Sequence, residues 1–303
     1  MSDNASPVPW TAEQHARVRQ VIQEEAHRAR VAAGFLPVVG PLPASTDFVR
    51  ADSVHYPKNP VEGSQPRQRL AIDDTQTILL PTLQVKVWLR GAQMADPEMN
   101  SALTMFRRAA NVLARLEDAI IFNGQAGAGQ GPHHKATGLP DIWEVLGGQE
   151  CRGLLPPHDG PEPEPMPGGA LPHDTGEKLV GEISRQIGDL EANGHFGPFA
   201  VALDHQYFTA VQTPNKNSLV LPQDRILPFL GGGPLVRSST LPACSGCVIA
   251  LGAAPVELVV ATDVSLNFLQ VTTDPMFVFR VYEKVRLRIK ERDAIRGLPR
   301  TLA

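Results

Sequence analysis

Between Met276 and Ile295 the chain changes character at every second residue, over a length that demands a broad sheet with one covered face. In MFVFRVYEKVRLRIKERDAI, Val281, Glu283, Val285, Leu287 and Ile289 point one way, while Tyr282, Lys284, Arg286, Arg288 and Lys290 point the other. A period of two is that of a half-buried strand, and the segment reads as one long strand. Glu283 is the lone charge on the apolar side, and four cations with Tyr282 make the other side a basic stripe. Such a stripe belongs to a sheet whose second face meets something.

The rest of the chain can support that sheet. With 303 residues it can bury one large core or two modest ones, and 42% hydrophobic with 20% charged residues is ordinary globular composition. A formal charge of -4 exerts no overall pull toward nucleic acid or anionic membrane, so neither is expected as a partner. No stretch approaches the ~18 consecutive apolar residues of a spanning helix, and the start, MSDNASPVPW, lacks a basic segment followed by an apolar run. The expected location is the cytoplasm. Three cysteines do not make a secreted disulfide framework.

A helix is predicted from Thr11 to about Ala33. Thr11 and Gln14 form a capping-box pattern, and Val18, Val21, Ile22, Ala26 and Ala29 recur on one face. Alone, that face suits packing on its own domain. Leu36 to Pro43 reads as an extended turn region set by three prolines, and Ser45 to Leu80 is polar, proline-bearing and ends in a strand-like TILLP. A structureless loop that long is unusual in a compact domain. Leu83 to Leu89 alternates as a strand. The longest helix follows, with Asp96 at its N-cap, Pro97 at its first position, and Leu103, Phe106, Ala110, Leu113, Leu116 and Ile120 at steps of three and four. Leu154 to Asp174 carries seven prolines in 21 residues and reads as a solvated insertion. Thr175 to Ala192 is a second amphipathic helix, and a strand is expected at Phe199 to Leu203.

Catalytic patterns are scarce. Cys244 and Cys247 form a C-x-x-C, which suits a redox pair or half of a zinc site. There is no second such pair and no strand-then-helix context, so a tight turn, a labile disulfide, and zinc completed by His133, His134, His158 or His173 all stay open. Gly124 to Gly131 is glycine-rich, but it follows a helix and lacks the Lys-Ser/Thr of a phosphate cradle. His195 lies at an Asn193-Gly194 turn and reads as a surface or capping histidine. No nucleophile elbow, paired zinc histidines or dinucleotide fingerprint occurs.

Three motifs stand in a familiar order: E-D-x-x-I-F-x-G at Glu117, Asp118, Ile121, Phe122 and Gly124; G-P-[FY] at Gly197, Pro198 and Phe199; D-x-S-x-x-[FY] at Asp263, Ser265 and Phe268. With the terminal strand, they resemble the encapsulins, nanocompartment shell proteins built on the tailed-phage capsid fold, over nearly the whole chain. The resemblance implies an α+β subunit in four parts: an N-terminal helix and arm at 1–44, an extended loop at 45–80 lying over a neighbouring subunit, a peripheral domain at 81–145 and 249–303, and an axial domain at 146–248. It also implies a self-assembling icosahedral homo-oligomer, no catalysis, and a cargo protein held by a targeting peptide.

The peptide groove carries over to Ile22, Ala26, Ala29, Phe35, Val38, Asp263, Leu266 and Phe268, and a five-fold pore to Pro214, Asn215, Lys216 and Asn217. No metal is implied and no cofactor is required. Trp88 stands where some members carry a tryptophan that can stack on flavin. The family's basic G-R-[RK] is replaced by Ala32, Ala33 and Gly34. A second reading is the DNA-packaging coat protein of an integrated phage, and a third is a redox or hydrolytic enzyme using Cys244 and Cys247.

Overall fold

The capping box at the start of the chain forms. The Thr11 hydroxyl accepts from the Gln14 N–H at 3.2 Å and the Gln14 side chain accepts from the Thr11 N–H at 3.0 Å, opening α1 at Ala12–Ala29. The helix stops short of Ala33, because Arg30 turns to extended backbone and a 3-10 turn takes Ala32–Gly34. The computed structural model describes residues 8–55, 58–59, 67–68, 70–129, 138–148, 151–155, 171–214 and 220–300.

After β1 at Val38–Val39, the described residues between 45 and 80 pair as a long hairpin rather than a loose loop. Its outgoing strands β2 (Phe48–Arg50), β3 (Ser53–His55) and β4 (Lys58–Asn59) pair antiparallel with the returning β5 (Arg67–Gln68), β6 (Ala71–Asp73) and β7 (Thr77–Leu79). β8 follows at Thr82–Arg90, then the single turn α2 at Gly91–Met94. The spine helix α3 runs Asn100–Gly129 and breaks at Gly124. There φ is 78° and a Cβ would lie 2.6 Å from the Cys151 carbonyl oxygen, so the expected stop at Gly124 is a kink that only glycine fits. Asp96 caps a turn ahead of the helix proper, accepting from the N–H groups of Glu98 and Asn100.

β9 at Trp143–Leu146 closes one edge of the first sheet. The helical half of the remaining chain is α4 (Thr175–Ala192), α5 (His205–Gln212) and α6 (Pro222–Ile226); interleaved with it are β10 (Phe199–Leu203), β11 (Leu235–Arg237) and β12 (Gly246–Ala250). Two long antiparallel strands follow, β13 at Val256–Val271 and β14 at Met276–Ile289, and then β15 at Ile295–Leu298.

Two sheets result. The first has the order β1-β13-β14-β8-β9, with α1 and α3 burying Ile22, Phe106, Leu113 and Phe122 together with Leu83, Phe279 and Val281 of the sheet. Trp10 stacks flat on Phe279 at 5.0 Å between ring centres. The second has the order β11-β10-β12-β15, with Leu179, Ile183, Tyr207 and Val248 in its core.

Three expectations change. The terminal strand ends at Ile289, and Ile295–Leu298 returns to pair with β12, which places β12 and β15 in the second sheet. The Pro-rich insertion is anchored at its entry: Leu154 is fully buried, and the N–H groups of Leu154 and Leu155 donate to the carbonyls of Ile121 and Phe122. Residues 156–170 lie outside the described residues.

Candidate functional site

The faces of β14 divide as their alternation requires, and each face has a use. The cations meet the base of the hairpin arm. Lys284 pairs with Asp47, Arg288 pairs with Asp52 at 3.0 Å and with Glu257, and the Arg288 guanidinium also donates to the Arg50 carbonyl at 3.2 Å. Lys290 joins Glu257 at 2.7 Å, its own carbonyl accepts from the Val54 N–H at 2.9 Å, and Arg286 donates to the Gly148 carbonyl. The stripe is therefore neutralised within the subunit and does not present a free basic surface. Beyond this base the arm leaves apolar side chains in the open: Phe48 is 60%, Leu70 70% and Ile72 62% exposed. Residues so exposed in a polar hairpin gain little from their own subunit.

The other face of β14 carries Glu283, fully buried, into a cluster at the end of α1. Arg30 donates to Glu283, to Glu117 of α3 at 2.5 Å and to Asp263 of β13 at 2.9 Å. Burial opposes the Arg30 charge, but Glu283, Glu117 and Asp263 together raise its pKa. Burial pushes the Glu117 carboxyl up despite Arg30, and burial with the nearby Glu117 pushes Glu283 well up. Each of these two glutamates keeps one buried oxygen, Oε1, without a donor from another residue. They lie within interaction reach of each other, so burial and mutual repulsion both oppose the charged forms.

Beside them Asp118 accepts from the N–H groups of Val31 and Ala32, the latter at 2.8 Å, which fixes the turn after α1. Burial raises its pKa to about 8 against the pull of those N–H groups. The E-D pair of the first motif is thus explained: Glu117 receives Arg30, and Asp118 holds the backbone that follows it.

A cleft of about 300 Å³ opens over this cluster, between the end of α1 and β13. Of the expected groove residues, Val38 and Asp263 line it. Ile22 and Ala26 do not: each is 1% exposed and packs α1 onto its own core, since the helix turns that stripe inward. Phe35, Leu266 and Phe268 are partly buried against the same core, and Ala29 is half-buried. His27, Arg30, Ala33, Leu258 and Val260 also line it. Arg30, the residue that organises the cleft, was missed because a lone arginine at a helix end carries no local signal.

Of the pore residues Pro214 is exposed after α5, and Asn215, Lys216 and Asn217 lie outside the described residues. Cys244 and Cys247 are unbridged. Cys247 is buried in β12, which pushes its thiol up to about 12, and Cys244 donates to the Gln206 side chain with its pKa also raised by burial. Neither is poised as a thiolate, and the enzyme reading loses its nucleophile. His133, His134 and His158 lie outside the described residues, and His173 is exposed. Trp88 stands on β8 with 46% of its surface exposed.

Comparison with known proteins agrees with this geometry. The model of the family described as "Encapsulating protein for peroxidase" matches residues 4–136 and 148–286. The type 1 encapsulin shell protein EncA of Myxococcus xanthus is 25% identical over 293 residues, 95% of this chain and 92% of that protein. Among solved structures, the virus-like particle from Pyrococcus furiosus superposes with a TM-score of 0.62 at 15% identity, covering 95% of this chain and all of that one. The capsid of Myoviridae phage XM1 gives 0.54 at 11% identity, covering 86% and 88%. These two establish the capsid fold.

Proposed function

The chain belongs to the family of encapsulating proteins for peroxidase and is a shell protein rather than an enzyme; from that premise we propose that its copies close into an icosahedral compartment around a cargo protein. The observation that carries this reading is the hairpin arm, tied at its base to β14 while Phe48, Leu70 and Ile72 stay exposed. A neighbouring copy supplies the missing burial, and closed symmetry removes open edges. In this reading the first sheet with α1 and α3 is the peripheral domain, the second sheet with α4 to α6 is the axial domain, and Pro214 stands beside an opening. The compartment is cytoplasmic; among the described residues no helix is long and apolar enough to cross a membrane.

Cargo is recognised through a terminal targeting peptide that docks in the cleft beside α1. Short peptides are captured by apolar pockets with polar groups at the edge. Val38, Leu258 and Val260 offer the apolar wall, and His27 and Asp263 the polar edge. Electron microscopy of the purified protein tests the shell, with closed particles as the expected result; a monomer refutes it. For the cleft, Val38→Arg combined with Asp263→Lys, co-expressed with the native cargo, should give intact but empty shells. Cargo loading equal to that of the unmodified protein would exclude this docking site.

A further inference from the structure

Outside the arm and the cleft, one cluster brings together groups that the shell reading does not use. α4 ends in a Schellman motif: Gly194 has φ of 88°, its N–H donates to the Glu191 carbonyl, and the N–H of His195 donates to the Leu190 carbonyl at 3.0 Å. This pins the backbone of His195 and turns its ring under the helix end, where the side chain is only 8% exposed. Facing it are Glu291 and Asp293, on the connector between β14 and β15. That connector is itself fixed: the Glu291 N–H donates to the Pro255 carbonyl, and Ala294 is fully buried in the second core. One ligand-type atom from each of His195, Glu291 and Asp293 lies within 4.8 Å of the others.

The polar accounting at this point is incomplete. His195 Nε2 is buried and makes no hydrogen bond, although Asp293 Oδ1 is only 3.3 Å away. The Asp293 oxygen is thus close to Nε2 but not placed to accept a hydrogen bond from it. The cations next in sequence are committed elsewhere, Lys290 to Glu257 and Arg292 to the Gly153 carbonyl at 2.8 Å. Two carboxylates and an imidazole nitrogen therefore converge with no side-chain cation between them among the described residues.

We infer that His195, Glu291 and Asp293 bind a first-row divalent cation such as Zn²⁺. One imidazole nitrogen with carboxylate oxygens suits these ions, whereas Mg²⁺ and Ca²⁺ prefer oxygen alone. Ligand atoms around a tetrahedral Zn²⁺ stand roughly 3.4 Å apart at metal-ligand distances of about 2.1 Å, so a small rotation of the carboxylates completes the set and leaves a position for water. The ion would clip the end of α4 to the crossing between the two sheets. It would thereby fix the angle at which the second sheet stands on the first.

The test uses the assembled protein, stripped with EDTA and titrated with ZnCl₂ against a chromophoric chelator, with thermal unfolding recorded in parallel. The expected result is one tight Zn²⁺ per subunit and a raised unfolding midpoint, with Mg²⁺ at the same concentration giving neither. His195→Gln and Asp293→Asn should weaken binding at least tenfold and remove the thermal shift. The double variant Cys244→Ser with Cys247→Ser should keep both. No stoichiometric Zn²⁺ in the unmodified protein, or binding unchanged by His195→Gln, overturns the site; loss of binding in the cysteine variant instead assigns the metal to the thiols and also overturns it.

Discussion

The hairpin arm and helix α1 both lie outside the two sheets, and they are held in opposite ways. α1 buries Val18, Ile22 and Ala26 and closes with Arg30 inserted among Glu117, Glu283 and Asp263. Among the described residues the arm is tied at its base, by ion pairs and backbone hydrogen bonds to β14, and carries apolar residues into solvent. One element completes its own subunit, and the other leaves apolar side chains that its own subunit does not cover. The difference shows which parts of a shell protein can be altered without losing the fold and which without losing the assembly.

The sharpest way to break this comparison is to delete residues 53–73. Because the arm adds little to its own core, the subunit should remain folded by circular dichroism while assembly collapses to soluble subunits or small oligomers in size-exclusion chromatography. Closed particles of normal size would show that the arm is not an assembly element.

Next in size is Arg30→Ala. Removing Arg30, the one cation paired with Glu117 and Glu283 among the described residues, leaves two buried carboxyls uncompensated, a change that typically costs about 3–5 kcal/mol. Denaturant unfolding of the subunit should register it, and a loss under ~1 kcal/mol would mean the cluster does not anchor α1. The same cluster predicts a pH dependence. Asp118 has its pKa raised from 3.8 to about 8 by burial, so between those values the folded chain binds a proton that the unfolded chain has released. Stability should therefore fall as pH rises through that window. Thermal midpoints measured from pH 5 to 8 should decline, and Asp118→Asn should flatten the profile; an unchanged slope in the variant assigns the effect elsewhere.

The smallest effect belongs to the arm's base. Lys284→Ala breaks a pair with the exposed Asp47, and exposed pairs are worth about 0–1 kcal/mol. Subunit stability should hardly move, while particle yield at low salt should drop and the difference should fade as salt rises; a loss above ~2 kcal/mol would place the arm's base in the core and blur the contrast with α1.

Much of the scaffold is legible in local pattern. The capping box at Thr11, the helical stripe of α3 and the alternation of β14 each repeat a period that backbone geometry imposes, and each element forms. The cleft beside α1 was legible only in part. Val38 and Asp263 reach the cleft, but a helical stripe such as Ile22 and Ala26 looks the same whether it faces a core or a ligand, and here it faces the core. The basic stripe of β14 implied a face that meets something, and among the described residues Asp47, Asp52 and Glu257 of the same chain meet it.

What the amino-acid order determined by itself was therefore everything with a short repeat: where helices begin, which faces of strands are apolar, and the ordered motifs that mark the family. What only the tertiary structure decided was which distant groups meet. Arg30 finds Glu117, Asp263 and Glu283 across 87, 233 and 253 positions, and Ile295–Leu298 leaves the long strand for β12. The physical reason is that backbone periodicity is set by neighbouring residues, whereas the pairing of buried charges and sheet edges is settled only when the whole chain packs and each polar group must find a partner.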